Sequence, residues 1–421
     1  MLVTALAAAP RLILFALQGG ALASPPMDQE LYLRMAGSLS EGRGLSFDEG
    51  SALLKAENTD QDNPLRDWAS DRDFVFGIAP TGAPTATIEP GYPVLLAAAF
   101  SLSGPTTGAV FMVNLLAQVL GAWAVYLLAS GFSGRKAGLA SAACYSVYPY
   151  FVFYTSAAMT EAVHVAMIPV ILLATLRSER GGAAPLFAGA ATGLLFLVRS
   201  TALFLLPLQI IHEAAGRRWR GALLVTAGFA AMAAPWVVRN RIEMGSPVLL
   251  PTKGSLNLWM RNNPEALELE GIRIPESIME GISRTDLLDY PGFEPDQGEL
   301  ERSDELAERS AGFIAANPLL FAWLSARRLI EYLSPLPSGR GGGLAAIAAG
   351  FGMYLPLAAL SIAGVARNRR NRGIVLAASV FVLYAGIHAL AHGGLRYRLP
   401  ADTVLMVLAP AAFPPARRRS E

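Results

Sequence analysis

Long apolar runs separated by short polar loops dominate this chain. Such runs are predicted to cross a membrane at residues 1–22, 106–130, 137–155, 157–176, 184–199, 200–213, 220–238, 343–366, 373–391 and 399–414. A helix that crosses a bilayer needs about 20 apolar residues. The runs are continuous rather than alternating, which disfavours a β-barrel. The pattern therefore predicts an all-α, polytopic integral membrane protein with about ten transmembrane helices.

Two long polar regions interrupt the apolar pattern, at residues 24–105 and 239–342. Within the first, residues 91–102 are apolar but too short to cross, so they predict a helix along the membrane surface. Within the second, residues 303–336 predict helical structure, and Arg327, Arg328 and Glu331 indicate an interfacial helix rather than a crossing. We expect three parts in total, with bounds 1–238, 239–342 and 343–421.

Composition agrees with a membrane protein. Apolar residues make up 53% of the chain and charged residues only 16%, whereas soluble domains carry about 25% charge. The net charge of +1 gives no reason to expect a nucleic-acid partner. Because Cys144 is the single cysteine, an intrachain disulfide is excluded.

The positions of the arginines predict sidedness, because cytoplasmic loops collect Lys and Arg. With the N-terminus inside and ten spans, the basic loops at 135–136, 177–180, 217–220 and 367–372 and the tail at 417–419 all lie in the cytoplasm. Both long polar regions then face outward from the inner (plasma) membrane, toward the periplasm. The segment Ala21-Leu22-Ala23 also resembles a signal-peptide cleavage site, although the basic n-region is missing. In either case Asp28 lies outside the cytoplasm.

Asp28 is the first candidate for catalysis. Pro25 and Pro26 predict the start of a helix, and Asp28, Tyr32 and Ala36 then share one helix face. This arrangement would fix a carboxylate beside a tyrosine at the membrane surface. The alternative is that Asp28 only complements the positive end of the helix.

Two further carboxylates, Glu89 and Glu161, are predicted at the outer face. Glu89 begins Glu89-Pro90-Gly91-Tyr92-Pro93, a turn fixed by prolines. Glu161 follows Thr160 at the outer end of a span, with His164 one helical turn later. A carboxylate near hydrocarbon is a functional candidate; the alternative is a helix-end glutamate held by an arginine. The two carboxylates could share a divalent cation such as Mg²⁺ or Mn²⁺, could orient an acceptor, or could pair with Arg199. No cofactor is certain.

Arginines are the remaining candidates at this face. Their planar guanidinium groups suit phosphate oxygens, although arginines at helix ends also anchor to lipid headgroups. The candidates are Arg199, Arg239, Arg241, Arg396 and Arg398, with Tyr397 between the last two. Tyr32, Tyr92 and His164 are expected to position a sugar or an acceptor.

Cations and carboxylates at a lipid-accessible face suit one reaction class. A polyprenyl-phosphate leaving group needs positive charge, and an acceptor hydroxyl needs a general base. The rival class is a transporter or flippase for lipid-linked saccharides, which would place ionisable groups at the bilayer midplane. Most candidates here lie instead at the ends of spans. A non-catalytic assembly partner is the third alternative.

The order of the short motifs resembles the GT-C superfamily of glycosyltransferases, in particular bacterial relatives of the protein O-mannosyltransferases and the lipid A aminoarabinose transferase. The similar segments are Asp28-x3-Tyr32-x3-Ala36, Glu89–Pro93, Thr160-Glu161, Pro235–Asn240, Gly245-Ser246-Pro247, Asn262-Asn263-Pro264 and Arg396–Pro400. This resemblance implies a polyprenyl-phosphate sugar donor, inversion at the anomeric carbon, and Asp28 as the general base.

Two departures concern the acceptor. The mannosyltransferases follow the aspartate with a glutamate, whereas Gln29 stands here. We also expect no extra soluble domain after the tenth predicted span. The sequence leaves the sugar open, and the acceptor could be a glycan, a lipid or a protein. Arg11, in the middle of the first span, has no partner that the sequence identifies.

Overall fold

The architecture is almost entirely helical in the computed structural model, which describes residues 1–23, 28–47, 74–75, 79–263, 293, 297–336 and 344–413. In the first part of the chain the helices are α1 (Leu2–Leu17), α2 (Asp28–Ser40), α3 (Gly91–Ser103), α4 (Thr107–Ser133), α5 (Arg135–Val147), α6 (Pro149–Thr155), α7 (Glu161–Ser178), α8 (Ala184–Val198), α9 (Leu205–Ala215) and α10 (Trp219–Glu243). A two-residue antiparallel ladder joins β1 (Phe74–Val75) to β2 (Ala79–Pro80).

The later helices include those of the second polar region. They are α11 (Lys253–Arg261), α12 (Glu299–Ala316), α13 (Pro318–Leu333), α14 (Leu344–Ala349), α15 (Leu355–Arg367), α16 (Arg372–Leu390) and α17 (Leu395–Leu408). Short 3₁₀ turns cover Ser200–Phe204 and Ala409–Ala412, and a π turn at Gly350–Tyr354 joins α14 to α15.

Several of these helices have the length and composition of membrane spans. Within the described ranges, five qualify: Thr107–Ser133, Glu161–Ser178, Trp219–Glu243, Ala346–Arg367 and Arg372–Leu390. Their outward-facing side chains are apolar; Leu223, for example, is 72% exposed. This is the arrangement expected where lipid rather than water surrounds the helices. The prediction of a multi-pass α-helical membrane protein is therefore confirmed, whereas the count of ten spans stays a prediction.

Prolines start new helices within one predicted span and within one predicted helical stretch. The run 137–155 is split between Val147 and Pro149, and the stretch 303–336 is split at Pro318. Proline lacks a backbone N–H and suits the first turn of a new helix, so each one starts a second helix. The segment predicted at 91–102 is helical and forms α3, while its place along the membrane surface stays a prediction. The predicted helix start at Pro25 lies outside the described residues, and the described helix begins at Asp28.

One apolar core connects the beginning and the end of the chain. It includes Val3 from α1, Ile168 from α7, Tyr384 from α16 and Leu399 from α17. Helix α7 packs against both α4 and α17. The start of α7 is therefore surrounded by elements from distant parts of the sequence. The division at 1–238, 239–342 and 343–421 remains an expectation.

Candidate active site

Glu161 lies at the first residue of α7 with its side chain almost completely buried, at 1% exposure. A carboxylate in the first turn complements the positive end of a helix. Two arginines from distant segments also reach it. Arg199 Nη1 lies 2.9 Å from Glu161 Oε1 and 3.0 Å from Thr160 Oγ1, and Arg396 Nε donates a hydrogen bond to the same carboxylate oxygen.

This cluster, formed by Glu161, Arg199 and Arg396, brings two guanidinium groups to one carboxylate. The two arginine side chains remain 17% and 23% exposed. The second carboxylate oxygen, Oε2, is buried and accepts no hydrogen bond from the described residues. Glu161 therefore holds two guanidinium groups side by side, which suits an anionic group that has more than one oxygen.

Tyr397 lies against the same cluster. Its ring centre is 5.6 Å from the guanidinium carbon of Arg199 and 5.9 Å from that of Arg396. The ring also stacks with His392 at 5.1 Å and contacts His388 at 5.1 Å. Contact with the ring of a tyrosine stabilises each guanidinium group.

A cavity of about 830 Å³ opens beside Arg396 and Tyr397. One part of its wall is apolar and the other carries charged groups, including Arg261 and Glu331. The lining residues are Pro10, Leu14, Val147, Pro149, Tyr150, Val152, Phe153, Tyr154, Arg261, Glu331, Ala346, Gly393, Gly394, Leu395, Arg396 and Tyr397. Such a cavity fits a ligand that has a lipid portion and an anionic headgroup.

Two glycines bring backbone to the charged wall of this cavity. A Cβ atom on Gly393 would lie 2.7 Å from the carbonyl oxygen of Arg328, so only glycine fits there. Gly394 has a φ of +109° and precedes the first residue of α17. Gly394, Leu395, Arg396 and Tyr397, at the start of that helix, all line the cavity, and a helix N-terminus favours a nearby phosphate.

The start of α2 is fastened to the turn that precedes Glu161. Gln29 Oε1 accepts a hydrogen bond from Ala158 N at 2.8 Å, and Ala23 N donates to Ser156 O at 2.7 Å. The backbone of Asp28 is thus held next to the Glu161 turn. The side chain of Asp28 lies outside the described residues, so its predicted role as a base stays a prediction.

Tyr32 and Tyr92 meet between α2 and α3. Their rings are edge-to-face with centres 5.4 Å apart, and the Tyr92 hydroxyl donates to Asn114 Oδ1 at 3.1 Å. Both side chains are buried. The structure therefore places this predicted pair together, next to the segment that carries Glu89.

Glu89 is connected to the cluster through the backbone. Its Oε1 accepts a hydrogen bond from Ser200 N at 2.7 Å, and Ser200 directly follows Arg199. Among the described residues, no group of three or more His, Cys, Asp or Glu side chains could hold a metal ion. Glu89 and Glu161 each accept N–H donors from the protein, and a Mg²⁺ or Mn²⁺ site on them stays a prediction.

The other predicted side chains have partners away from this cavity. Arg239 donates to the carbonyl oxygens of Thr85 at 2.8 Å and Leu45 at 3.1 Å. His164 Nε2 lies 2.7 Å from the Tyr384 hydroxyl. Arg241 donates to the carbonyl of Gly245.

Arg398 is fully buried, although Arg396 two residues earlier lines the cavity. It donates to Asp402 Oδ1 and to Tyr332 O, each at 3.0 Å, and lies over the Tyr354 ring. The predicted phosphate-binding roles of Arg239 and Arg398 thus stay predictions, while the geometry favours Arg396.

A buried polar brace, formed by Asn114, Gln118 and Arg11, holds the backbone near Glu161. Asn114 Nδ2 donates to Thr155 O at 3.2 Å and Ala157 O at 2.7 Å. Gln118 Nε2 donates to Ala162 O at 2.6 Å, and its Oε1 accepts from Arg11 Nη2 at 2.7 Å.

Arg11 also donates to Thr155 Oγ1 at 3.1 Å and to Ser146 O at 3.0 Å. These contacts account for an arginine in the first apolar run. The brace was not predicted from the sequence, although two amides four residues apart in an apolar helix indicate buried polar contacts.

Comparison with known protein families gives a match over part of this chain. A family model described as dolichyl-phosphate-mannose-protein mannosyltransferase matches residues 84–238. The match includes Glu89, Glu161 and Arg199. No curated protein sequence matches the chain.

Solved structures give the fold. The oligosaccharyltransferase of Archaeoglobus fulgidus in its apo form is 14% identical with a TM-score of 0.56, covering 97% of this chain and 49% of that chain. The same enzyme tethered to an acceptor peptide containing the NVT sequon is 13% identical with a TM-score of 0.56, covering 97% and 48%. ArnT from Cupriavidus metallidurans bound to undecaprenyl phosphate is 10% identical with a TM-score of 0.44, covering 96% and 76%.

This chain thus spans about half the length of the oligosaccharyltransferase that it resembles. The likeness extends over nearly the whole of this chain, and it shows a shared fold. Together with the family model, it confirms the resemblance to GT-C glycosyltransferases predicted from the sequence.

Proposed function

We propose that this protein is a membrane glycosyltransferase that moves a sugar from a polyprenyl-phosphate donor to an acceptor hydroxyl at the extracytoplasmic face. The proposal rests on two features that lie next to each other in the structure. The Glu161–Arg199–Arg396 cluster places two guanidinium groups on one carboxylate, and Arg396 also lines a large cavity that has both apolar and charged walls. A lipid-linked phosphate has the matching chemistry.

In the proposed reaction the acceptor oxygen attacks the anomeric carbon from the face opposite the phosphate. The new carbon–oxygen bond forms as the bond to the phosphate oxygen breaks, which inverts the configuration. The acceptor proton passes to a carboxylate, and the bonding electrons leave with the polyprenyl phosphate. Because negative charge grows on that leaving group, fixed cations beside it lower the barrier.

Asp28 is our candidate for the base. Support comes from its place at the first residue of α2, because Gln29 fastens that end of the helix to Ala158, three residues before Glu161. Glu161 itself is engaged by two arginines and is better suited to hold them than to accept a proton. Tyr32 and Tyr92 are proposed to form part of the surface that positions the sugar or the acceptor.

Removal of the Arg396 guanidinium tests the donor site. A charge-assisted contact to a buried phosphate contributes about 2–4 kcal/mol, so Arg396→Ala should weaken binding of a polyprenyl-phosphate sugar by that amount. Arg396→Lys should recover only part of the loss, because lysine lacks the planar fork. Binding is measured with purified protein in detergent.

Arg309→Ala is the matched control, because Arg309 pairs with Glu305 on α12 and belongs to no part of the site. It should bind the donor like the parent protein. Equal binding by the parent and by Arg396→Ala would contradict the proposed donor site.

The alternative of a transporter predicts different behaviour. A transporter would move the lipid-linked sugar between leaflets and leave it intact, whereas the proposed enzyme releases free polyprenyl phosphate. The position of Glu161 at a helix start rather than in the middle of a span favours the enzyme.

A further inference from the structure

A buried carboxylate in the second polar region lies outside the proposed reaction. Glu299 is the first residue of α12 and is only 5% exposed. Its carboxylate is surrounded by residues of the first polar region. Glu299 Oε2 accepts from Thr85 Oγ1 at 2.6 Å, and Oε1 accepts from Ala86 N at 3.0 Å and from Thr87 Oγ1 at 3.1 Å.

A third chain segment completes this set of contacts, which we call the Glu299 clasp. Thr252 Oγ1 donates to Glu299 Oε1 at 2.7 Å. The backbone N–H of Thr252 donates to Ala86 O at 3.1 Å, and that of Lys253 donates to Thr87 O at 3.2 Å. The clasp therefore joins the segment 85–87, the start of α11 and the start of α12.

The hydrogen-bond donors around Glu299 offset the free-energy cost of burying its carboxylate. A carboxylate taken out of water loses several kcal/mol of solvation unless hydrogen bonds replace the lost water. Burial raises the pKa of Glu299 above its ordinary value, and the hydrogen bonds from Thr85, Thr252, Ala86 and Thr87 act in the opposite direction. Loss of the carboxylate would leave four donors without their acceptor.

The clasp lies two residues from Glu89. The chain passes from Thr87 through Ile88 to Glu89, whose carboxylate accepts from Ser200 N. A Cβ atom on Gly91 would lie 2.7 Å from the carbonyl of Leu197, so this segment also packs tightly against the end of α8. Ser200 follows Arg199, which binds Glu161. A continuous set of contacts thus runs from Glu299 to the charged cluster.

We propose that Glu299 is a positioning residue, through which the second polar region holds Glu89 and the Arg199 end of the site in place. It touches neither donor nor acceptor. The inference rests on the proposed function for its effect on turnover, but the coupling itself is a property of the fold. The two long polar regions then act as one unit around the site.

Three variants test the coupling by amide hydrogen exchange of the purified protein. Glu299→Ala removes the acceptor, and we expect at least tenfold faster exchange at residues 85–89 and 252–253, and also at 199–202. Glu299→Gln keeps an oxygen acceptor and can donate to Thr85 Oγ1, so exchange should stay within about threefold of the parent. Thr252→Val removes one donor and should be intermediate.

Glu308→Ala is the control on the same helix, because Glu308 is exposed and lies outside the clasp. Faster exchange at 85–89 with unchanged exchange at 199–202 would overturn the coupling. Unchanged exchange in all segments of Glu299→Ala would overturn the clasp itself. Neither result depends on the sugar or the acceptor.

Turnover of a lipid-linked donor is the second measurement. With a lipid-linked donor that the parent protein consumes, the kcat of Glu299→Ala should be at least tenfold lower than that of the parent, and its KM for the donor should stay within about threefold. Glu299→Gln should recover most of the lost kcat. Parent-like turnover in Glu299→Ala, despite faster exchange at 199–202, would overturn the positioning role. A parent that consumes no donor would contradict the proposed function and leave the exchange results to decide on the coupling.

Discussion

At the scale of single residues, the site depends on one carboxylate shared by two arginines. Glu161 has two cationic partners whose positions in the chain, 199 and 396, are far apart. The sequence indicated each of the three residues as a candidate and allowed that Glu161 pairs with Arg199. The second partner could not be identified from the sequence, because Arg396, Arg398 and Arg239 all have the same residue type in similar surroundings. Only the packing of α17 against α7 separates them.

Glu161→Gln tests the importance of this shared carboxylate. The change leaves two guanidinium groups close together without a negative charge between them, and breaking a buried ion pair costs about 3–5 kcal/mol. We expect a lower thermal unfolding temperature and loss of transfer activity. Unfolding of the detergent-solubilised protein, followed by intrinsic fluorescence, measures the first effect.

Glu305→Gln is the comparison, because Glu305 pairs with Arg309 at an accessible position on α12. A surface pair contributes about 0–1 kcal/mol, so this variant should unfold like the parent. If both variants unfold at the same temperature, the Glu161 cluster contributes no more to stability than a surface pair does.

At the scale of elements, apolar runs and prolines allowed most helices to be predicted. Helix α3 was expected at 91–102 and is found at Gly91–Ser103, because its length and flanking prolines are local properties. The sequence predicted a break at residue 156, between the runs 137–155 and 157–176, whereas the turn covers Ser156 to Thr160. Its backbone is held by Asn114, Gln118 and Arg11 from other helices, and such long-range hydrogen bonds leave little local signal.

Asn114→Leu tests the brace. The variant leaves the carbonyl of Thr155 and the hydroxyl proton of Tyr92 without their partner. It also removes one of the two hydrogen bonds to the carbonyl of Ala157, which keeps the one from Met159 N. Each buried polar group left unpaired costs about 1–3 kcal/mol, so the unfolding temperature should fall clearly. Thermal unfolding in detergent is the measurement.

Thr226→Val provides the control for the loss of a side-chain hydrogen bond within a helix. Thr226 Oγ1 donates to Ala222 O, one turn earlier in α10, from an exposed position. Its replacement should change the unfolding temperature little. A similar small change in Asn114→Leu would mean that the brace does not hold the turn.

At the scale of the whole molecule, the proposed active site requires the two polar regions to lie on the same, outer side of the membrane. Cysteines introduced at Asn58 and Glu265, in a variant without Cys144, should react with a membrane-impermeant maleimide in intact cells. A cysteine at Arg369 should react only after the cells are opened, because the basic loop that contains it is expected inside. Labelling of residue 369 in intact cells would reverse the sidedness and move the site to the cytoplasmic face.

The sequence predicted the class of the molecule better than the details of its site. The length of the apolar runs and the positions of the arginines are properties of the sequence itself, so a multi-pass helical protein could be predicted from them. The cavity beside Arg396 could not be predicted from the sequence, because its wall is formed by residues of α1, α6, α11, α13, α14 and the start of α17. No single stretch of sequence contains that information.

The most direct test is the fate of the donor in proteoliposomes that contain the purified protein and a set of polyprenyl-phosphate sugars. We expect free polyprenyl phosphate to be released, as measured by mass spectrometry, when an extract containing the acceptor is added. Asp28→Asn should bind donor normally yet release it at least 100-fold more slowly, since a positioned base contributes about 10²–10⁴-fold. Donor that is bound or moved across the bilayer but stays intact with the parent protein would contradict glycosyl transfer. Release by Asp28→Asn at the parental rate would remove Asp28 as the base.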